Sequence, residues 1–370
     1  MFVRLDKLAF KISYNNNVVG VKMQLGFFDV DDKYKKLTKL GDPLAKIDAL
    51  FDFSIFKKDL EKTSDEIERQ RLSNPKGAGR KPLERMRMLK IVFLKKFFNL
   101  SHAQTEFQIT DRHSFQRFIG LDPNQDAPDY SSVWRFEERL SENGLLQSLF
   151  ERFDAFLTSK GFEAQEGTIV DATIVEVPRQ RNTRDENKQI KQGEIPESFM
   201  EKQSILSQKD VDARWTKKNA QNYYGYKNHI LIDSKHKLIR DYEVTAANVH
   251  DSQPAPGLFS SAIPNRPGYG DSAYISDEIQ AKLDSNNIEN RINEKGYKNK
   301  PLTEQQRDEN RQKSKIRSRV EHVFGFMVNS MNGKTIRTIG IKRANLQIGL
   351  SNLAYNIARY TQLIKIQSTL

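Results

Sequence analysis

The stretch GTIVDATIVEV, residues 167–177, limits the possible folds of this chain more than any other part of its sequence. Its Val, Ile and Thr residues are typical of a β-strand buried within a sheet. Asp171 lies in the middle of this run. An unpaired carboxylate in an apolar interior costs several kcal/mol, so Asp171 requires a cation, a metal ion or hydrogen bonds. We therefore expect a central strand whose acid has a dedicated partner.

The overall charge indicates the kind of partner that the protein binds. The chain has 60 Lys and Arg residues against 48 Asp and Glu, a net charge of +12. Such a surplus favours a polyanionic partner, most simply nucleic acid. The absence of cysteine excludes thiolate ligands, so any metal is held by oxygen atoms or by the six histidines. The longest apolar-rich run, 89–100, is too short to span a bilayer, and we expect a cytoplasmic protein.

The hydrophobic pattern divides the chain into two predicted domains. Residues 23–161 have apolar side chains at helical spacing and predict an all-α N-terminal domain. Residues 162–370 alternate strand and helix patterns and predict an α/β domain, a mixed sheet flanked by helices. Residues 1–22 are weakly periodic, and we expect a dispensable extension before a true start at Met23. The charged, apolar-poor segment 179–222 predicts a mobile insert.

The helical domain contains a candidate DNA-reading element. Residues 100–122 predict short helices joined by a turn, and residues 129–161 predict a helical segment that ends at a glycine. With Arg117, Arg135 and Arg139 nearby, this pattern fits a helix-turn-helix DNA reader. A plain helical bundle with solvated arginines fits it equally well.

A basic loop, NPKGAGRKP, separates two further predicted helices at 42–72 and 83–100. Arg80 and Lys81 in this loop are candidates for insertion into a DNA minor groove. A simple connection between helices explains the same composition. The loop residues are therefore candidate DNA contacts, with a structural alternative left open.

The second domain is predicted to begin with the central strand and a hairpin beside it. YYGYKNHILIDS and HKLIRDYEVTAAN have strand composition and are separated by a short turn. Lys217, Lys218 and Lys227 alternate with tyrosines near the first of these strands, which suits DNA backbone contact or, equally, strand packing. Residues 312–330 predict a helix, and residues 346–366 predict a closing amphipathic helix.

Three acids of the second domain form a candidate catalytic set. Asp171 lies in the first strand, Asp271 ends a later strand, and Glu321 lies on a predicted helix. Metal-dependent phosphoryl transfer requires oxygen ligands that hold two Mg²⁺ ions about 4 Å apart. The basic residues Lys315 and Arg319, with Arg317, would contact a phosphate backbone. Asp271 as a turn residue, and Glu321 paired with Arg317, are the structural alternatives.

Several motifs resemble those of a known family. TIVDATIVEVP, DARWTKKNAQNYYGYKNHILID, TAANVHDSQ, GDSAYIS and RSRVEHVFGFM are similar to successive motifs of DDE transposases of bacterial insertion sequences, specifically the insertion-sequence-five group. KLGDPLAKID, GRKPLERMRMLKIVFL and HSFQRFIGLD resemble the helical N-terminal region of the same transposases.

The resemblance implies a fold and a mechanism. It implies a ribonuclease-H-like catalytic domain in which Asp171, Asp271 and Glu321 bind two Mg²⁺ ions, with Mn²⁺ able to substitute. It implies cleavage at the terminal inverted repeats of a mobile element and transfer of the 3′-hydroxyl strands to target DNA. A homodimer on paired ends, in the nucleoid-associated part of a bacterial cytoplasm, follows from that activity. An inactive DNA-binding relic or repressor, and a stand-alone metal nuclease, are the alternatives.

The chain also departs from the family pattern. Related transposases commonly have a Tyr and a basic residue where this sequence has Ser314 and Val328. We expect Lys315, Arg319 or Lys334 to hold the terminal strand instead. The histidines nearest to the acids in the sequence, which include His322, are not expected to bind Mg²⁺, because this ion prefers oxygen ligands.

Overall fold

The computed structural model describes residues 29–63 and 83–368. The predictions for residues 1–22, for Met23 and for the loop with Arg80 and Lys81 lie outside this part of the chain. The protein divides into two compact units, and the boundary between them follows Asp42. The described part of the first unit contains helix α1 (Asp29–Lys39), an exposed helix whose Lys35 pairs with Asp32 at 3.1 Å. All remaining elements belong to the second unit.

The second unit begins with a helical region, as the apolar spacing predicts. Ser101 and Asp129 cap two of its helices by accepting hydrogen bonds from backbone N–H groups in the first turns. Residues 129–161 form two helices because Gly144, with φ +61°, interrupts the helical backbone. The helices are α2 (Pro43–Leu50), α3 (Lys57–Leu60), α4 (Arg85–Phe97), α5 (His102–Asp111), α6 (His113–Ile119), α7 (Tyr130–Glu142) and α8 (Leu145–Ser159).

The sheet of the described residues has six strands, and the predicted central strand lies in its middle. The strands are β1 (Thr168–Glu176), β2 (Arg214–Lys218), β3 (Gln221–Asp233), β4 (Ile239–Ala246), β5 (Pro267–Gly270) and β6 (Glu289–Ile292). β1 is antiparallel to β3 on one side and parallel to β5 on the other. β4 pairs with β3 as the predicted hairpin, and β6 is parallel to β5. The sheet is therefore mixed, and β1 has neighbours along both edges.

The segment 179–222 contains regular secondary structure, and its mobility stays a prediction. Its helices are α9 (Arg184–Lys191), α10 (Glu197–Met200) and α11 (Gln203–Leu206), and its end forms β2 and the start of β3. Ile190 and Phe199 are buried and anchor the segment despite its polar composition. β2 turns into β3 through Asn219 and Ala220, which both have positive φ, as a tight hairpin requires.

Helices cover both faces of the sheet. Val170 and Leu231 pack on one face against α12 (Ala255–Phe259) and α13 (Asp277–Ser285). Ile169 and Ile230 point to the other face and join a larger core with α15 (Arg319–Asn329) and α16 (Ile341–Gln367). A further helix, α14 (Glu304–Arg317), leads into α15, so the predicted single helix 312–330 consists of two helices that meet at Ser318.

The predicted closing helix is α16, and much of it is buried on more than one side. Residues 352–358 are all buried, because α16 contacts β3 and β4 as well as α2, α4, α7 and α8. Its buried amides have partners: Asn352 exchanges hydrogen bonds with Asn228, and Asn356 bonds the backbone of Ile239. One continuous core therefore joins the helical region to the sheet through α16.

Membrane spans were also sought in the structure. Across the helices that the structure describes, none has both the length and the apolar character that crossing a bilayer requires.

Candidate catalytic site on the central strand

The parallel pairing of β1 with β5 brings two of the predicted acids to the same level. Thr168 lies beside Gly268 in this pairing. Asp171 and Asp271 each lie three residues further along their chain segments. The pairing extends to Ile169 and Tyr269, and continuing the same register would bring Asp271 level with Asp171 just beyond the end of β5. The strand order thus explains how residues that are distant in sequence become neighbours.

The Asp171 carboxylate is largely buried, with 15% of its side chain exposed, and has two hydrogen-bond partners. Its Oδ1 accepts a hydrogen bond from the backbone N–H of Ala172 at 2.7 Å, and Oδ2 accepts one from Arg317 Nη1 at 3.2 Å. Burial nevertheless raises the pKa of Asp171 to about 6, because these two partners offset only part of the desolvation. Arg317 is therefore the cationic partner that the strand sequence requires, but it compensates the charge incompletely.

Asp271 and Glu321 act on the same carboxylate through their charge. Asp271 follows β5 and caps the short 3₁₀-helix Ser272–Tyr274, with its Oδ1 accepting from the Ala273 N–H at 2.8 Å. Glu321 is exposed in the first turn of α15, whose buried face packs on the core beside β1. The negative charges of both residues raise the pKa of Asp171 further. The three predicted acids therefore share one electrostatic neighbourhood.

The donor set suits a hard divalent cation, although the side chains do not form a closed ligand cluster. Within residues 29–63 and 83–368, no three His, Asp or Glu side chains are arranged so that they could hold a metal ion together. The donors near Asp171 are carboxylate oxygens, which Mg²⁺ prefers. Binding a cation between them would require Asp171 to exchange its bond with Arg317 for a metal contact, and the acid side chains to move closer. The carboxylate donors are therefore suitable ligands for Mg²⁺, but the side chains would have to rearrange before they could bind the ion together.

Tyr274 belongs to this site and was not identified from the sequence. It is buried, and its hydroxyl has no hydrogen-bond partner among the described residues. Burial, and then the negative charges of Asp171, Asp251 and Asp271, raise its pKa well above the ordinary value. Gly270 permits this packing, since a Cβ there would lie 3.2 Å from the Tyr274 ring. The motif GDSAYIS contains this tyrosine, but only the fold shows that it lies near the acids.

Lys227 is engaged in an ion pair inside the protein. Its ammonium donates to Asp251 Oδ1 at 2.7 Å and to the Val249 carbonyl at 2.6 Å. Asp251 lies four residues before the first residue of α12, Ala255. Asp251 therefore anchors Lys227 and does not cap α12. Lys227 as a DNA contact stays a prediction, and its ion pair would have to open for that contact.

The basic residues around α14 and α15 differ in their exposure and in their partners inside the protein. Lys315 is exposed near the end of α14. Arg319 donates to the Ser234 carbonyl at 2.9 Å and lies 3.9 Å from a Glu166 carboxylate oxygen. Arg317 does not pair with Glu321, which was the structural alternative, because its guanidinium turns toward Asp171. Lys315 is thus the more accessible of these three cations.

The remaining predicted DNA contacts lie on β2 and on the N-terminal helices. Lys217 and Lys218 are exposed on β2, whereas two of the tyrosines on β3, Tyr224 and Tyr226, are buried and serve strand packing. Arg135 is exposed on α7 and donates to Ser131 Oγ at 3.0 Å. Two further arginines, Arg117 on α6 and Arg139 on α7, are half-buried. The structure leaves the role of each in DNA binding a prediction.

A central-strand acid with neighbouring carboxylates, in a mixed sheet flanked by helices, defines a class of site suited to phosphoryl transfer. The family comparison agrees with this class. The family model described as Transposase DDE domain matches residues 163–357. A second model, described as Transposase domain (DUF772), matches residues 32–139. No solved structure matches the chain. The chain belongs to the Transposase DDE domain family, which confirms the resemblance seen in the motifs and implies a DNA partner.

Proposed function

We propose that the protein is the transposase of a bacterial insertion sequence of the insertion-sequence-five group. It cleaves the ends of its element and transfers the 3′-hydroxyl strands to target DNA by two-metal phosphoryl transfer. The main support for this proposal is that Asp171 lies on the central strand and that the negative charges of Asp271 and Glu321 act on its carboxylate. Membership of the transposase family supports the choice of DNA as the substrate.

We also propose that the sheet is ribonuclease-H-like. Its first strand is central, with the antiparallel strands β3 and β4 on one side and the parallel strands β5 and β6 on the other. Parallel strands end at the same edge of a sheet, so acids after β5 and on β1 converge there. This strand order supports a fold in which the catalytic acids lie together at one end of the parallel strands.

In this mechanism Asp171, Asp271 and Glu321 hold Mg²⁺, with Mn²⁺ able to substitute. When bound, the divalent ions supply positive charge that activates the attacking oxygen and stabilises the leaving oxygen of the phosphodiester. Arg317 keeps the Asp171 carboxylate oriented in a poorly solvated position until the ligand set forms. The exposed Lys315 on α14 is placed to contact the DNA backbone beside the acids. Burial of Asp171 excludes water from one side of the reaction site.

The helical region is proposed to recognise the terminal inverted repeats. Base-edge contacts distinguish these sequences from other duplexes, whereas phosphate contacts only position the DNA. Pairing of two element ends implies a homodimer on DNA, which acts on the nucleoid in the cytoplasm. Because α16 completes the core of the helical region, recognition is best tested in the full chain and not in a fragment.

The catalytic proposal is tested with full-length Asp171→Asn. The substrate is a duplex carrying the DNA that flanks the coding sequence. The substitution keeps the size of the side chain but removes the charge, so strand cleavage in Mg²⁺ should be lost while duplex binding survives. Asp284→Asn on the surface of α13 serves as the matched control and should cleave normally. Cleavage by Asp171→Asn at the wild-type rate would assign the chemistry to another residue, and binding without cleavage by the wild type would favour an inactive relic.

Recognition of the ends is tested with full-length Arg135→Gln. Arg135 is exposed, and its one hydrogen bond in the structure, to Ser131, is lost at little cost in stability. If it contacts a base edge, the ratio of affinities for inverted-repeat and random duplex should fall by about 5- to 150-fold, the equivalent of about 1–3 kcal/mol. An unchanged ratio would place end recognition on other residues, with Arg117 and Arg139 next to be tested.

A further inference from the structure

A polar cavity of about 300 Å³ lies between the N-terminal helices and the last helices of the chain. Its walls come from α4, α5 and α7 on one side and from α16 and the segment after α15 on the other. None of the predicted acids lines it. Its volume is at the lower end of that of small-ligand sites, about 300–1,000 Å³. The cavity is therefore a candidate binding site separate from the acids of β1.

One wall of the cavity contains a buried ion pair, Lys95 with Glu137, whose two charges cancel. Lys95 and Glu137 have side-chain exposures of 5% and 2%, and the Lys95 ammonium donates to both carboxylate oxygens, at 2.8 and 2.9 Å. His102 and Gln347 complete the surroundings of Glu137 at 2.8 and 3.1 Å. Burial alone would raise the pKa of Glu137, but Lys95 and His102 hold it well below its ordinary value. Glu137 is thus directly paired with Lys95 and His102, and it acts on the second cation of the cavity, Lys96, only through its charge.

A second cation in the same cavity has no carboxylate partner. The half-buried Lys96 donates to Gln347 Oε1, a neutral acceptor, and an ammonium has two further donors to satisfy. Desolvation and the adjacent charge of Lys95 lower the pKa of Lys96 to about 7, and the charge of Glu137 offsets only part of this shift. A desolvated cation that makes no ion pair of its own is costly, so an anion in the cavity would stabilise it.

The rim of the cavity carries a further cation, Arg337. Arg337 is exposed, and among the residues that the structure describes no carboxylate pairs with it. Arg343, in contrast, makes a two-point ion pair with Glu138 at 2.8 and 2.9 Å. After these internal pairs are formed, Lys96 and Arg337 remain as the cations available to a ligand. An ammonium and a guanidinium that converge on one polar cavity are typical of phosphate recognition.

We propose that this cavity binds a phosphate group through Lys96 and Arg337, and that the phosphate belongs to the DNA backbone. The position of α15 relates the cavity to the acids. Glu321 lies in its first turn, and Met327, six residues further along, lines the cavity. The rise of a helix separates these two positions by about 9 Å. Six residues also rotate the helix by about 240°, so the two positions face different sides of α15. The assignment to DNA therefore rests on the proposed function, in which a duplex bound at the acids would continue to the cavity as a second holding point.

The DNA source is tested by the salt dependence of duplex binding. Each neutralised phosphate contributes about 0.9 to the slope of log affinity against log salt. The full-length double variant Lys96→Met with Arg337→Gln is expected to lose about 0.9 of this slope, because both cations serve one phosphate. The matched control Lys298→Met removes an exposed charge outside the cavity and should keep the wild-type slope. A loss twice as large in the double variant would overturn the single-phosphate site.

Free phosphate as the ligand is tested by thermal unfolding in sodium phosphate and in sodium chloride at equal ionic strength. Ligand binding raises the unfolding temperature with ligand concentration, so wild type and Lys298→Met should gain more from phosphate than the double variant does. This gain without a change in DNA slope would identify free phosphate as the ligand of the cavity. If the double variant keeps both the wild-type salt slope and the wild-type gain from phosphate, the proposal is overturned.

Two further variants keep these experiments interpretable if the double variant does not fold or if the catalytic proposal fails. Arg337→Gln alone removes an exposed side chain and keeps the phosphate assay informative if the double variant fails to fold; it should reduce the phosphate-induced rise. The measurements need no cleavage, so Asp171→Asn should show the wild-type slope and the wild-type phosphate effect even if the catalytic proposal fails.

Discussion

Gly349 is the point at which α16 makes its closest approach to the elements on both sides. A Cβ at this position would lie 2.6 Å from Leu146 Cδ2 on α8 and 2.7 Å from Tyr242 Cζ on β4. Real Cβ atoms essentially never come within 3.0 Å of such atoms. Gly349→Ala therefore forces Leu146, Tyr242 or α16 itself to shift.

The expected loss of stability follows from two opposing contributions. In an open helix Ala is favoured over Gly by about 0.8–1.0 kcal/mol. Overpacking of a well-packed core typically costs about 1–3 kcal/mol, and occasionally more. Tyr242 also packs on Phe150 of α8, the helix that carries Leu146, so neither side chain can move away from Gly349 without disturbing this packing. We expect the packing cost to dominate and Gly349→Ala to lower the free energy of unfolding by about 1–2 kcal/mol.

The matched control is the same substitution at Gly325 on α15. A Cβ there meets no atom within 4 Å, and the backbone is helical. Gly325→Ala should therefore raise the free energy of unfolding by up to about 1 kcal/mol. Urea unfolding followed by circular dichroism measures both effects as shifts of the midpoint in opposite directions. A Gly349→Ala protein at least as stable as the wild type would refute the close packing of α16 between β4 and α8.

Three further predictions concern buried polar groups. Glu137→Gln leaves the Lys95 ammonium buried without its carboxylate, and urea unfolding should show a loss of about 3–5 kcal/mol; a loss below about 1 kcal/mol would contradict the burial of the pair. Desolvation lowers the pKa of His229 from 6.5 to about 4, so the unfolded chain binds a proton more readily than the folded one. Stability should therefore fall between pH 6.5 and pH 4 by up to about 3 kcal/mol, and His229→Gln should reduce this pH dependence. Asn352→Leu strands the Asn228 amide and should cost about 1–3 kcal/mol, whereas the double Leu variant should recover much of the loss in the same assay.

Local patterns in the sequence were sufficient to predict the central strand and the elements around it. The Val and Ile run of β1, the hairpin of β3 and β4, and the helical character of the region before residue 160 follow from residue spacing and turn residues, although the predicted helix 42–72 is divided after α2 into shorter helices. These features depend on neighbours within a few positions along the chain. Asp171 could likewise be singled out, because a carboxylate within an apolar strand is costly wherever that strand lies.

Local sequence patterns were insufficient where distant contacts decide the outcome. The polar segment 179–222 is structured because a few apolar side chains, Ile190 and Phe199 among them, find partners in the fold. Helix α16 is buried on nearly all sides because the sheet and the helical region both pack on it, which allows even Asn352 and Asn356 inside. Spacing along one helix reports one apolar face and cannot report a second layer of structure.

The sequence by itself determined which acids were candidates and that the motifs are those of a transposase. The tertiary structure decided that Asp271 follows the strand that pairs with the strand of Asp171, that Arg317 turns toward Asp171 and away from Glu321, and that Tyr274 lies near these acids. It also decided that Lys95 has a carboxylate partner while Lys96 does not. The physical reason is that electrostatic interactions depend on distance through space and on burial, and neither quantity exists until strands pair and helices pack.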